Sequence, residues 1–423
     1  MKILVVGGDC WNDSTNGNNV YSNWFDDFDA EFANIYIGQG TPENKVCSKY
    51  FQITDRMMFR SLYSDRAGVA FNTELCKVES ESFDKDWNIK VKRNMGEGLR
   101  IAREVLWSVG RYNIDKLKSF IDKFNPDIVF CTHIYSLRYG RLVRLVHSMT
   151  DAPMVGFAGD AEASLKNYSL NPLYWIRQFS LYFTYPKHIK QFKQYFTFSQ
   201  KQCEEITAKY GVPAEPLYKC IQNLSVFEEK KPNEVLKLVY AGRLYCNRWK
   251  TLSAIGDALI ELNKSGKKAE LFIYSQDELT VEQEKALSKE RFINFMGSVH
   301  PSELPTIYRD ADIALHVESF DKKYKLDTMH SLSTKIIDLM SSTCAILAIC
   351  WEKNNGWNYL KDNDAAFCLS DYFEILPLLK KIDGNRSLIS VYAKKAYECG
   401  IKNHNKDKIH GQIRNQFSKL VNS

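Results

Sequence analysis

The sequence predicts an α/β protein of two doubly wound domains, and three observations carry that prediction. Short apolar runs without alternation recur along the chain, the pattern of strands buried on both faces of a parallel sheet. Helix-like sequence separates the runs, so successive strands join by right-handed crossovers. The pattern also starts twice, near Ile3 and again near Leu236. At about 150 residues per domain, a chain of 423 residues suggests two or three domains.

In the first half the apolar runs are 3–6, 33–37, 127–131 and 153–157, with 97–124 keeping the three- and four-residue apolar spacing of a helix. In the second half they are 236–240, 269–274, 293–296, 313–317 and 345–349, with helices expected over 251–264 and 302–310. The charged, proline-containing stretch 228–235 reads as a linker. The expected division is a domain over 1–230, a second over 231–395, and a polar C-terminal helix over 396–423 that crosses back to the first. Two facing Rossmann-like domains would place ligands in an interdomain cleft, at the carboxyl ends of both sheets.

Composition excludes several classes. Hydrophobic residues make up 44% and charged residues 26%, ordinary for globular domains and unlike a disordered chain. A net charge of +6 over this length is far below the footprint of a nucleic-acid binder. No apolar run approaches the roughly 18 residues of a spanning helix. Eleven cysteines, an odd number without a C-x-x-C pair, and eight histidines without zinc-like spacing point to free thiols in a reducing compartment and to no metal site. The opening Met1-Lys2-Ile3-Leu4-Val5-Val6-Gly7-Gly8 reads as a first strand and a glycine turn, not a signal peptide, so a cytoplasmic location is expected.

Candidate functional residues lie where strands end. Gly8 follows the first strand and permits close backbone approach to a phosphate or sugar, although the spacing is not G-x-G-x-x-G. Arg243, Arg248 and Lys250 follow the strand 236–240, where cations can hold a diphosphate; a solvated basic loop explains them equally well. Glu318 follows the strand 313–317 directly. Ser333 and Thr334 then begin a helix whose backbone N–H groups suit phosphate oxygens, with Lys335 in its first turn and Asp338 one turn in, within reach of a ribose. The same helix could simply be capped and face solvent. His133 follows the strand 127–131 and Asp160 follows 153–157, each equally compatible with a structural role.

With these residues in view, the second half resembles the retaining GT-B glycosyltransferases, in particular the family-4-like bacterial enzymes of surface-polysaccharide assembly. The matching pieces are Ala241-Gly242-Arg243-Leu244 with Lys250, Phe295-Met296-Gly297, Leu304-Pro305-Thr306-Ile307-Tyr308, Glu318-Ser319-Phe320, and Ser333-Thr334-Lys335-Ile336-Ile337-Asp338. In the first half, Phe198-Ser199 and Tyr210-Gly211-Val212-Pro213 resemble the end of that family's N-terminal domain. The resemblance implies that Glu318 contacts the transferred sugar and Asp338 the ribose. It further implies that Arg243 and Lys250 hold the diphosphate, with Arg248 as a competitor, and that His133 or Asp160 touches the donor sugar. The chain departs from the family in the longer interval between Glu318 and Asp338, in the aspartate at the second acidic position, and in Ser341-Ser342-Thr343-Cys344 where relatives carry a glycine.

The stretch 165–196 contains no Asp or Glu, five basic residues (Lys166, Arg177, Lys187, Lys190, Lys193) and ten aromatics, among them Tyr168. Such a mixture suits docking on an anionic membrane, and equally an aromatic-rich core insertion. The resulting expectation is a metal-independent, retaining glycosyltransferase without a bound cofactor. Its partners would be a nucleotide diphosphate sugar and a glycan or polyprenyl-linked acceptor. It would be cytoplasmic, peripheral on the inner face of the membrane through 165–196, and would bind no nucleic acid. Replacing Glu318 by Ala is expected to stop transfer without disturbing the fold. A sugar-nucleotide 2-epimerase and a non-catalytic glycan- or lipid-binding relative remain as alternatives.

Overall fold

The computed structural model describes residues 1–13, 19–73, 96–132, 134–159, 165, 169–221, 226–288, 292–329 and 332–422. It divides into two compact units, Met1–Tyr218 with Asp407–Ser423, and Lys219–Lys406.

The first unit is built on an eight-stranded sheet: β1 (Lys2–Gly7), β2 (Glu31–Ile37), β3 (Lys49–Ile53), β4 (Val69–Asn72), β5 (Ile128–Cys131), β6 (Met154–Ala158), β7 (Gln194–Thr197) and β8 (Ala214–Pro216). The order is β4-β3-β2-β1-β5-β6-β7-β8, and only the β3–β4 pair is antiparallel. Ile3, Leu4, Val5 and Val6 are all fully buried because helices cover both faces, which is why this strand reads as an unbroken apolar run.

The second unit carries β9 (Leu236–Ala241), β10 (Ala269–Tyr274), β11 (Ile293–Gly297), β12 (Ile313–Val317), β13 (Ala345–Ile349) and β14 (Phe367–Leu369), all parallel, in the order β11-β10-β9-β12-β13-β14. Numbered within the unit this is 3-2-1-4-5-6, the doubly wound arrangement whose winding reverses between its first and fourth strands. Buried Asp312 fixes that junction. Its carboxylate accepts the N–H of Lys237 at 2.8 Å, tying the start of β9 to the start of β12.

Several elements differ from the sequence reading. The stretch 97–124 is two helices, Glu97–Val109 and Ile114–Phe124, because Gly110 ends the first and the Asn113 side chain caps the second. The stretch 228–235 belongs to the second unit instead of linking two: Lys230 donates to the Arg309 carbonyl at 3.0 Å, and Asn233 donates twice to Asp312. The division accordingly falls at Tyr218/Lys219. The C-terminal segment is two helices, Ser387–His404 and Lys406–Val421, and the return to the first unit comes at Asp407, not at 396. No disulfide joins the described cysteines. Among the described residues no helix is long and apolar enough to cross a membrane.

Candidate active site

The carboxyl ends of β9 and β12 flank the point where the second sheet's winding reverses, the place where open α/β sheets take their ligands. Glu318 stands directly after β12. Its N–H donates to the Ile349 carbonyl at 3.1 Å and its own carbonyl accepts the Thr251 hydroxyl at 2.8 Å, so its backbone is fixed on both sides. Its buried carboxylate accepts two bonds from Arg248, Nε to Oε2 at 2.9 Å and Nη2 to Oε1 at 2.7 Å. This fork-to-fork pairing is geometrically specific as well as strong. Burial works against the Arg248 charge, but the Glu318 carboxylate outweighs it and raises the guanidinium pKa, so Arg248 stays charged.

Arg248 is aimed by an unusual turn. It opens the helix Arg248–Leu262, and the two residues before it, Cys246 and Asn247, both adopt the left-handed conformation at φ 58. Asparagine tolerates this; for cysteine it costs roughly 1–2 kcal/mol. Strain of this kind persists where the surroundings enforce it, and it concentrates at functional sites.

Lys335 reaches the same place from the helix Thr334–Met340, donating from Nζ to the Ala241 carbonyl at the end of β9 at 3.0 Å. Gly242 makes room for it, since a Cβ there would run into that Nζ. Lys335 is exposed as a residue, yet burial of its ammonium end, together with the Arg248 cation, brings its pKa down to about 8. His316 lies two residues before Glu318 on the same face of β12. Its Nε2 is buried and has no hydrogen-bond partner. Burial, then Arg248 and Lys335, lower its pKa to about 3, so the imidazole is neutral. A buried neutral nitrogen left unsatisfied beside two cations is a group for which a ligand hydroxyl is a natural partner.

The Lys335 shift has a measurable consequence. If a diphosphate is held at Lys335, its affinity should fall as the pH rises past about 8, by up to about tenfold per unit once the free protein loses this proton. Lys335→Arg should flatten the profile. Isothermal titration between pH 7 and pH 10 (roughly the span from a charged to a neutral ammonium) reads the slope, and a flat wild-type profile would remove Lys335 from the site. For stability the sign is opposite. The charge is a burden on the fold below about 8, relieved as the pH rises from there toward the ordinary lysine value.

The other candidates are placed differently. Arg243 lies on Asp277 (Nε to Oδ1, 2.7 Å), and Lys250 on Asp321 at 2.9 Å, with Asn247 also donating to Asp321. Of the three cations proposed after β9, Arg248 is therefore the one joined to Glu318. Ser333 occupies the N-cap position before Thr334, but its side chain makes no capping bond. Asp338 accepts two bonds from Lys219, at 2.9 and 3.1 Å. Sequence reasoning did not find Lys219, and no local pattern announces it, because its partner is 119 residues away. His316 also escaped sequence reasoning; its period-two spacing from Glu318 was the available signal. In the first unit, a Cβ at Gly8 would collide with the Tyr135 ring, whose hydroxyl donates to the Gly8 carbonyl at 3.3 Å, so packing alone requires that glycine. His133 and Asp160 lie outside the described residues.

Two doubly wound units in one chain, the second in 3-2-1-4-5-6 order, constitute the GT-B fold. Among solved structures, the chain is similar to a sucrose-phosphate synthase from Thermosynechococcus elongatus (TM-score 0.62, 11% identity, covering 99% of this chain and 98% of that one). It is also similar to Anabaena HepE in complex with UDP and glucose (0.60, 11%, 99% and 100%). TarM is a further neighbour (0.53, 11%), matching 74% of this chain, which spans only 59% of TarM. At these identities the likeness is one of fold. No protein-family model matches the sequence, and neither does any curated protein.

Proposed function

We propose that the protein is a glycosyltransferase that moves a sugar from a nucleotide diphosphate sugar to a glycan acceptor, with retention and without a metal ion. The observation that carries this reading is the convergence of Arg248, Lys335 and unpartnered His316 around Glu318 at the reversal point of the second sheet. The UDP and glucose held by HepE support a donor of that class.

In this reading the diphosphate lies against Lys335, Arg248 and the helix start at Ser333-Thr334. Two of the five guanidinium N–H groups of Arg248 are engaged by Glu318, and the others face phosphate oxygens. As the acceptor hydroxyl oxygen bonds to the anomeric carbon and that carbon's bond to the diphosphate breaks, the electron pair passes to the leaving phosphate oxygen, which takes up the acceptor's proton, and these fixed positive groups stabilise the developing charge. Glu318 positions Arg248 and contacts a sugar hydroxyl, His316 accepts from or donates to another, and Asp338 holds the ribose. Arg243 and Lys250 would join only by leaving Asp277 and Asp321. His133 and Asp160 stay candidates on the acceptor side, and the acceptor is a lipid-linked bacterial glycan, extended at the cytoplasmic face of the membrane.

The reading is tested by following label from nucleotide sugars to polyprenyl-linked glycans with and without a chelator. Acceptor-dependent product at an undiminished rate in chelator is expected. A strict need for Mn²⁺ or Mg²⁺ would remove metal independence, and an isomerised sugar nucleotide formed without acceptor would identify an epimerase instead.

A further inference from the structure

The helix Pro172–Ile189 is apolar on two sides. Leu181, Tyr185 and Ile189 are buried in the core of the first unit, while Leu173, Ile176, Phe179 and Phe183, spaced by three, three and four, form a separate exposed stripe. Ile176 is 57% exposed and Phe183 70%. Within 165–196, the described residues 169–196 are therefore neither wholly surface nor wholly core: one face of the helix, and β7 after it, belong to the fold.

The stripe does not stand alone. This helix packs against Glu97–Val109, joined by an Arg177–Glu97 ion pair at 3.0 Å, and that helix exposes Leu99, Val105 and Val109 along one face. It packs in turn against the helix Asp55–Arg60, joined by Arg103–Asp55 at 2.8 Å, where Phe59 and Tyr63 form an exposed ring pair 5.6 Å apart. Exposed apolar side chains on three helices packed side by side are more than scattered surface residues explain and mark an interaction face.

Charge selects the occupant. Over 55–63, 96–109 and 169–193 there are eight basic and three acidic residues, a net of 8 − 3 = +5. Each acid is neutralised locally: Glu97 by Arg100 and Arg177, Asp55 by Arg103, and Glu104 by Arg138 in a buried pair. A second copy seated on this face by two-fold symmetry would set one positive surface against another. We propose that this three-helix face docks the protein on an anionic lipid bilayer, the exposed side chains entering the headgroup region and the basic residues meeting lipid phosphates. The inference deepens the reading of a lipid-linked acceptor, but the binding itself needs neither donor nor acceptor.

Co-sedimentation with phosphatidylcholine vesicles, with and without phosphatidylglycerol, tests it on the full chain. Binding is expected only with the anionic lipid, and loss of it in about 1 M salt, where the screening length is about 3 Å. Phe179→Ser/Phe183→Ser and, separately, Leu99→Ser/Val105→Ser/Val109→Ser should each weaken binding about tenfold or more; melting curves confirm that both remain folded. Absence of wild-type binding would overturn the proposal and leave the transferase reading standing. Unchanged binding by the second variant would overturn the three-helix face. A dimer in vesicle-free solution, broken by the same substitutions, would instead assign the face to self-association. Vesicle binding without any transfer activity would uphold the docking and defeat the function.

Discussion

Glu318→Gln is expected to lower transfer about 100- to 1,000-fold, the range for removing one preorganised electrostatic group from a site. The amide keeps the shape and can still accept one Arg248 bond, so the variant should stay folded, and its loss falls on the reaction. Glu318→Ala is a different experiment. Removing the carboxylate leaves the Arg248 guanidinium buried without its partner, at about 3–5 kcal/mol. The expectation that this substitution spares the fold is thus corrected by the ion pair. Glu318→Leu/Arg248→Met should recover most of the stability without recovering transfer, because paired removal leaves no orphaned charge. Rates from the amide variant and melting curves from the others separate the two effects. Full activity in Glu318→Gln would remove Glu318 from the mechanism.

The second large effect concerns Asp338. Its side chain is 55% exposed, but the Lys219 side chain is only 7% exposed and has both oxygens of Asp338 as partners. Asp338→Ala should destabilise the second unit by about 2 kcal/mol, less than a fully buried pair because water reaches the aspartate side. Lys219→Met should be nearly neutral, since the carboxylate left behind is already hydrated. Chemical denaturation reads both. The double variant Lys219→Met/Asp338→Ala, expected to fold normally, then isolates the binding role. If it takes up nucleotide as well as the wild type does, Asp338 does not hold the ribose.

How far the sequence could be read depended on burial. The strands β1, β2, β5, β6, β9, β12 and β13 were legible because both faces are largely covered and nearly every residue is apolar, whereas β10 and the edge strand β11, with Phe295 and Met296 exposed, were legible as apolar runs alone. β8 and β14 are three-residue edge strands, and β4 is an exposed edge, so none builds such a run. β7 is fully buried but reads Gln194-Tyr195-Phe196-Thr197; Thr197 is satisfied internally by the Ser199 carbonyl, a contact no periodicity reveals. The stretch holding Glu318 and Lys335 stood out for a local reason, a strand end before Glu318 and a helix start before Lys335. Which cation joins Glu318 was not, because the left-handed turn at Cys246-Asn247 and the carboxylates Asp277 and Asp321 decide it. The exposed face was half legible. Its composition was evident in 165–196, but the helices Glu97–Val109 and Asp55–Arg60 join it only through tertiary packing.

On the proposed reading, the carboxyl edge of the second sheet binds a nucleotide diphosphate through Arg248 and Lys335. This binding is tested most directly by melting the protein, without metal, in the presence of UDP, GDP, ADP or dTDP, with CMP as a monophosphate control. A ligand at about 100 times its dissociation constant stabilises the native state by about 2.7 kcal/mol. One nucleotide family should raise the melting temperature of the wild type and leave that of Lys335→Met unchanged. A rise with none of them, or an equal rise in the variant, would contradict the account.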